Sequence, residues 1–178
     1  MLTKTNFIFI VLLILSWLIF VGLGIEAGGL IVNFFFSIYR PDFVGNLYQT
    51  MDLTGLYRDH PNEFYKVYSF ILVIAILKTY LFYIVVMLMH RIDLKKPFNP
   101  KVAKEIMQLS YFTLTIGLLS VLAQESTKKT EMLLKNPVNL QQFWIDGEAF
   151  ILTGAIIYII ATIFKKGVDL QTENDLTV

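Results

Sequence analysis

Four apolar runs, each about long enough to cross a lipid bilayer, constrain what this chain can fold into. They lie at about residues 7–29, 64–89, 106–123 and 148–164. A membrane-spanning helix needs about 20 mainly apolar residues, and a helix satisfies its own backbone hydrogen bonds inside the hydrocarbon core. We therefore predict an all-α membrane protein. Its four transmembrane helices are expected to form one antiparallel bundle, a single domain over residues 1–178.

The composition favours the same class of protein. Hydrophobic residues make up 56% of the chain and charged residues only 16%, whereas a soluble domain is about 45–50% apolar and about 25% charged. The chain has no cysteine, which excludes disulfides and thiolate metal sites. Its net charge of +1 gives no basic footprint for direct nucleic-acid binding.

The first apolar run is longer than one span requires. It begins near Phe7 and, apart from Glu26, stays largely apolar as far as Ile38. A single helix of this length would measure about 48 Å, against a hydrocarbon core of about 30 Å. We expect it either to protrude as a continuous helix or to break near Gly28-Gly29. The run also exceeds the about 7–15 residues of a secretory leader, so we interpret it as an uncleaved membrane helix.

Polar segments separate the spans. We predict outer loops at about residues 40–63 and 124–147, a cytoplasmic loop at 90–105 and a cytoplasmic tail at 165–178. Asn99-Pro100 predicts a helix start, because Asn is a good N-cap and Pro suits the first helical position. Lys165-Lys166-Gly167 is typical of a helix C-terminus, where cations and a following glycine are favoured.

The density of cations predicts the orientation. The short segment His90–Glu105 carries five of them, namely Arg91, Lys95, Lys96, Lys101 and Lys104. Short loops rich in lysine and arginine stay on the cytoplasmic side of a membrane. We therefore predict that this loop and both chain termini are cytoplasmic.

Lys78 is the most informative residue inside a predicted span. An ammonium near the centre of a span costs about 2.5–3.5 kcal/mol, and such residues usually pair inside the protein and mark function. Lys78 either only fixes packing, or serves an anion site, an ion path or a charge switch. Glu26 and Gln108 are candidate polar partners, and with Lys78 they form the candidate intramembrane polar site.

The depth of Glu26 makes it an imperfect partner for Lys78. Glu26 lies about 28 Å along its span from Phe7, whereas Lys78 lies about 21 Å along its span from Phe64. Glu26 is then expected near the outer boundary, too far from Lys78 for contact unless the first helix is tilted or starts later.

Small and hydroxylated residues predict the faces on which the spans pack. Gly24 and Gly28 match the GxxxG pattern, which lets helices approach closely. The third and fourth spans carry such residues at helical spacing, namely Thr113, Gly117 and Ser120, and Gly154, Tyr158 and Thr162.

The sequence contains no motif for catalysis or for a cofactor. There is no HExxH, no glycine-rich phosphate loop and no Ser/His/Asp arrangement. His60 and His90 are predicted on opposite sides of the membrane. We predict no enzymatic activity, no cofactor and no metal site.

Three segments resemble the bacterial domain-of-unknown-function 2975 family of small four-span membrane proteins. They read LKTYLFYIVVMLMHRIDLKKPFNPKVAKEI, MQLSYFTLTIGLLS and FWIDGEAFILTGAIIYIIATIFKKGVDLQTENDLTV. In that family a Pro-Phe pair opens the third helix and a Glu-Asn-Asp/Glu-Leu-Thr-hydrophobic ending closes the chain. Here these are Pro97-Phe98 and Glu173–Val178. The resemblance covers most of residues 64–178 and implies a multi-pass protein of the bacterial cytoplasmic (inner) membrane.

The resemblance implies no assigned activity, but members of the family are often encoded beside a small Cro/CI-type helix-turn-helix regulator. One hypothesis is a membrane-bound sensing partner that captures or releases such a regulator. The candidate cytoplasmic interaction surface comprises Arg91, Lys95, Lys96, Lys101 and Lys104 of the loop, with Glu173, Asn174 and Asp175 of the tail. The alternative is a small oligomeric transporter or channel with Lys78 in its permeation or ligand site. The lipid bilayer is the other expected partner, and a homo-oligomer is left open.

Overall fold

The computed structural model describes residues 4–39, 53–93, 98–131, 144 and 146–176. These residues form five helices: α1 (Lys4–Tyr39), α2 (Thr54–Asp59), α3 (Pro61–Arg91), α4 (Pro100–Glu131) and α5 (Gly147–Leu176). No strand occurs in the described ranges. The predicted all-α fold class is confirmed.

Four of these helices, α1, α3, α4 and α5, are long and apolar enough to cross a membrane. Large apolar side chains cover the outside of α1, where Leu18 and Ile25 are each 64% exposed. An exposed apolar surface of this extent is typical of contact with lipid. The prediction of four membrane spans is confirmed.

Helix α1 is continuous through its glycines. It contains 36 residues, which corresponds to about 54 Å. Of the two expected alternatives, the structure shows the continuous helix and not a break at Gly28-Gly29. The helix is held at this point because the Tyr68 hydroxyl of α3 donates a 3.0 Å hydrogen bond to the carbonyl of Leu30, which is fully buried.

Three helices run further than the apolar runs predict. α3 begins at Pro61, α4 continues to Glu131 and α5 continues to Leu176. The first loop also contains α2, while its remainder at 40–52 lies outside the described residues, as does 132–143 of the second loop. The predicted helix end at Lys165-Lys166-Gly167 is wrong, because α5 passes through Gly167 without a left-handed turn.

The start of α4 is as predicted. The Asn99 side-chain oxygen accepts a 2.8 Å hydrogen bond from the Lys101 N–H, and Pro100 is the first helical residue. The Asn99 carbonyl accepts a 2.9 Å bond from the Ala103 N–H. Asn99 is therefore the N-cap.

The helices pack in the order α1 on α3, α3 on α4 and α4 on α5, and α2 packs on α3. The α4–α5 interface is the most extensive. A Cβ at Gly117 would lie 2.7 Å from the backbone nitrogen of Ile151, and one at Gly154 would lie 2.8 Å from that of Leu114. Glycine is needed at both positions because the two backbones touch. Of the predicted packing residues, Tyr158 lies at the edge of this interface: it is exposed, and its ring lies 6.2 Å from that of Tyr111 of α4.

A buried apolar cluster begins at the end of the molecule that carries α2 and extends between the helices to Leu81 and Ile116. Its biggest fully buried side chains include Phe64 and Tyr68 of α3, Leu30 of α1 and Leu56 of α2. At the same end the Thr130 hydroxyl of α4 donates a 2.5 Å hydrogen bond to Glu63. This packing holds α1, α3 and α4 in fixed register.

Candidate functional site

Lys78 has two carboxylates within electrostatic range. Glu26 of α1 and Asp146, which immediately precedes α5, both interact with its ammonium. Lys78 and Glu26 are half-buried, whereas Asp146 is exposed. We call these three residues the charge cluster. It connects α1, α3 and the start of α5.

Hydrogen bonds between α1 and α3 explain why Glu26 comes close to Lys78. The Thr79 hydroxyl donates a 3.0 Å bond to the Leu23 carbonyl, which places these two residues opposite each other. Leu30, further along α1, meets Tyr68, which comes earlier in α3. The step from Leu23 to Glu26 therefore runs in the same direction as the step from Thr79 to Lys78. Glu26, one helical turn beyond Leu23, thus lies at nearly the same level as Lys78.

The depth offset expected from the sequence is not found. That expectation measured the depth of Glu26 from Phe7 and the depth of Lys78 from Phe64. It assumed that these two starting residues lie at opposite membrane surfaces and that both helices cross the membrane at the same rise per residue. The register is set instead by hydrogen bonds and packing between the helices. Depth along one helix does not reveal this register.

Asp146 is the member of the charge cluster that the sequence reasoning missed. Its backbone has a φ of 70°, a left-handed conformation that aspartate adopts more readily than most residues. Its carbonyl accepts a 2.9 Å hydrogen bond from the Phe150 N–H, which starts α5. The available signal was the Asp-Gly dipeptide before an apolar run, a pattern typical of turns.

The start of α5 lies against the middle of α4. A Cβ at Gly147 would be 3.0 Å from the Cβ of Ser120, and α4 continues for a further eleven residues to Glu131. That distance is about 16 Å. Asp146 therefore lies beside the middle of α4 and not beside its end. This position brings it within electrostatic range of Lys78.

Gln108, the third residue predicted for the intramembrane site, lies elsewhere. The Phe112 ring of α4 is 4.8 Å from that of Tyr80, and Gln108 lies one turn before Phe112. It is therefore displaced from Lys78 towards the start of α4. Among the described residues, none forms a hydrogen bond with the Gln108 side chain.

The predicted cytoplasmic surface lies at the opposite end of α3. Arg91 forms an ion pair with Glu105, whose side chain is only 9% exposed. This pair joins the two ends of the loop between α3 and α4. Lys101 and Lys104 are exposed on the first turns of α4. Lys95, Lys96 and the Asp175 side chain lie outside the described residues.

Phe98 attaches this loop to α5. Its ring lies 5.2 Å from that of Phe164, and a Cβ at Gly167 would be 2.6 Å from its Cε1 atom. The next residue, Val168, is buried, and the side chains of residues 169–174 are exposed. The predicted surface residues Glu173 and Asn174 belong to this projecting part of α5. We call Arg91, Lys101, Lys104, Asp169, Glu173 and Asn174 the loop–tail surface.

The described residues contain no group of three or more His, Asp or Glu side chains placed to hold a metal ion. The structure brings charged side chains together in two places. One cluster lies between the membrane helices and one mixed surface lies at the end of α3.

Four long apolar helices with charges between them define a multi-pass helical membrane protein. The chain belongs to the family described as protein of unknown function (DUF2975), whose model matches residues 48–178. This confirms the resemblance and extends it into the first loop. Lys78, Asp146 and the loop–tail surface lie inside the match, and Glu26 lies before it. No curated protein matches the chain, and no solved structure does.

Proposed function

We propose that this protein is a non-enzymatic regulatory component of the bacterial cytoplasmic membrane. In this proposal it senses a signal at the membrane and captures or releases a small helix-turn-helix regulator. It binds that protein and not nucleic acid. The family resemblance supplies the kind of partner, and the structure supplies a surface on which a partner can bind.

In the proposed topology the spans form an antiparallel bundle, with both termini and the loop–tail surface in the cytoplasm. Contacts between α3 and α4 support the antiparallel arrangement. Thr130, at the end of α4, bonds to Glu63 at the start of α3, and Glu105, near the start of α4, pairs with Arg91 at the end of α3. The cations around the α3–α4 loop support the orientation.

The packing of Phe98 on Gly167 is the observation that carries the proposal. It joins the loop after α3 to the projecting end of α5, so that the two form one surface. That projecting end has acidic side chains and an apolar one, Leu170, which is 66% exposed. A helix of this kind can dock into a groove of a partner protein.

The charge cluster is the proposed input. Ionisable residues inside a membrane commonly mark functional sites. A cation bound beside Glu26 or Asp146 would weaken the attraction between these carboxylates and the Lys78 ammonium. Because Lys78 and Arg91 belong to the same helix, a shift of α3 would reach the loop through the Arg91–Glu105 pair.

The test uses the full-length protein in bacterial membranes and a Cro/CI-type regulator encoded beside its gene. We expect the regulator to co-purify with the wild type and to be lost when residues 169–178 are deleted. Gly167→Leu keeps the tail but displaces Phe98, and should weaken capture by a factor on the order of 5–150. Gly22→Leu is the matched control, because a Cβ there meets nothing within 4 Å.

Three outcomes would contradict the proposal: no such regulator beside the gene, capture that persists after the deletion, or an equal loss in the control. Ion or solute flux in proteoliposomes that Lys78→Met abolishes would favour the alternative, a transporter or channel. The proposed regulatory role predicts no such flux.

A further inference from the structure

A groove of about 480 Å³ lies between α1 and α3. Gly24 and Gly28 of α1 form its floor, while Phe20 of α1 and Tyr80 and Tyr83 of α3 form aromatic walls. A Cβ at Gly28 would meet no atom within 4 Å. A Cβ at Gly24 would lie 4.0 Å from the Thr79 Cγ2 atom, in ordinary contact with α3. The GxxxG pattern therefore lies against the second helix at Gly24 and leaves a recess at Gly28.

The groove presents an apolar surface to its surroundings. Its floor carries no side chain, and the hydroxyl of Thr79 at its edge already donates to the backbone carbonyls of Leu23 and Ala75, at 3.0 and 2.9 Å. Both helices are long and apolar enough to span a membrane. In a bilayer the groove therefore opens onto hydrocarbon, and an unfilled recess would forfeit dispersion contacts.

The length of the groove suits a hydrocarbon chain. Its lining on α1 runs from Phe20 to Ile31, a length of about 16 Å. This is about half of the ~30 Å hydrocarbon core and so comparable with one lipid leaflet. One extended acyl chain can therefore lie along it.

The lining of the groove ends at Phe20 and Tyr83, and the contact between α1 and α3 continues beyond it to residues that complement an anionic headgroup. Seven residues beyond Tyr83, on the same face of α3, lies His90, whose ring is 6.1 Å from that of Trp17. Arg91 follows, with its side chain 44% exposed. Exposed lysines lie at the adjoining end of the bundle, Lys101 and Lys104 on α4 and Lys165 and Lys166 on α5. Clustered cations of this kind attract anionic lipid.

We propose that the α1–α3 groove binds an anionic phospholipid. One acyl chain lies against Gly24 and Gly28, and the phosphate lies beside His90 and Arg91. The span from Ile76 to His90 is about 21 Å, which accommodates one extended acyl chain and the glycerol.

The test measures binding of phosphatidylglycerol and phosphatidylethanolamine to the delipidated full-length protein by native mass spectrometry. Gly28→Leu adds a side chain to the groove, where its Cβ meets no atom within 4 Å, and should weaken phosphatidylglycerol binding roughly tenfold. Gly22→Leu makes the same change on the same helix, also in open space, but outside the groove lining. It should bind like the wild type. His90→Ala should weaken phosphatidylglycerol binding and leave phosphatidylethanolamine binding unchanged.

Equal phosphatidylglycerol binding by the wild type and Gly28→Leu would overturn the proposal. So would a loss of dimers in Gly28→Leu at unchanged lipid binding, which would assign the groove to a second copy of the chain. Equal affinity of the wild type for the two lipids would overturn the headgroup assignment. Tyr83→Ala removes a wall without adding volume. It should also weaken binding, which keeps the test decisive if Gly28→Leu does not fold.

Discussion

Lys78 places a charge inside a membrane helix, where an isolated ammonium costs about 2.5–3.5 kcal/mol. Glu26 and Asp146 supply opposite charge from two other parts of the chain. Each therefore offsets part of the cost, Glu26 from a half-buried position and Asp146 from an exposed one, where water screens its charge. Both carboxylates interact with the same ammonium, so removing one of the three charges changes the electrostatic surroundings of the others.

A double-mutant cycle tests the pairing of Glu26 with Lys78. We expect Glu26→Gln and Lys78→Met each to destabilise the protein, and the two changes to be non-additive by about 0.5–3 kcal/mol. The free energy of unfolding in detergent can be followed by the fluorescence of Trp17 and Trp144. Additivity within about 0.5 kcal/mol would show that the two side chains do not interact.

Asp146 combines a charge with a left-handed backbone, and two substitutions separate these roles. Asp146→Asn removes the charge but tolerates the φ of 70°. Asp146→Ala removes the charge and also strains the backbone, by about 1–2 kcal/mol. We therefore expect the alanine variant to be less stable than the asparagine variant by that amount. Equal unfolding free energies would show that the turn does not require a residue that favours positive φ.

Among the helices, α4 and α5 depend most on glycine. At Gly154 a Cβ would lie 2.8 Å from the Leu114 nitrogen, and the Ser110 hydroxyl donates to the Gly154 carbonyl at 3.1 Å. A side chain here must separate the two backbones and lengthen that hydrogen bond.

We expect Gly154→Val to destabilise the protein by about 1–3 kcal/mol or more through overpacking. Gly22→Val is the matched control, since it places the same side chain in open space on α1. Thermal unfolding of both variants in detergent provides the comparison. An unchanged midpoint for Gly154→Val would mean that the two helices separate without cost.

The end of α5 shows how a local signal is overridden. Lys-Lys-Gly is typical of a helix terminus, and glycine inside a helix costs about 1 kcal/mol relative to alanine. In the structure the absence of a side chain at Gly167 makes room for the Phe98 ring. The glycine is explained by a contact from another segment, which local sequence does not reveal.

For the whole molecule, chemical labelling at the two ends of α4 tests the proposed orientation in the membrane. The chain has no cysteine, so single-cysteine variants report without a background. We expect Lys101→Cys to react with a membrane-impermeant maleimide only after the cells are permeabilised. Lys128→Cys, near the other end of α4, should react in intact cells. The opposite labelling pattern would reverse the proposed topology, and equal labelling would contradict a single orientation.

The sequence alone was enough for the class of protein, the existence of four spans and the start of α4. Each follows from residues that are close together in the chain: apolar runs of sufficient length, and an Asn-Pro pair with its own backbone as hydrogen-bond partner. The family resemblance was likewise carried by contiguous segments. Lys78 stood out for the same reason, since a cation within an apolar run is visible without a structure.

Only the tertiary structure decided which residues meet. The level of Glu26 relative to Lys78 depends on hydrogen bonds from α3 to α1, and the level of Asp146 depends on where Gly147 packs against α4. Helices slide and rotate against one another until small residues, aromatic rings and hydrogen bonds fit. Their relative register is therefore a property of the packed interfaces, and no single segment of the sequence contains it.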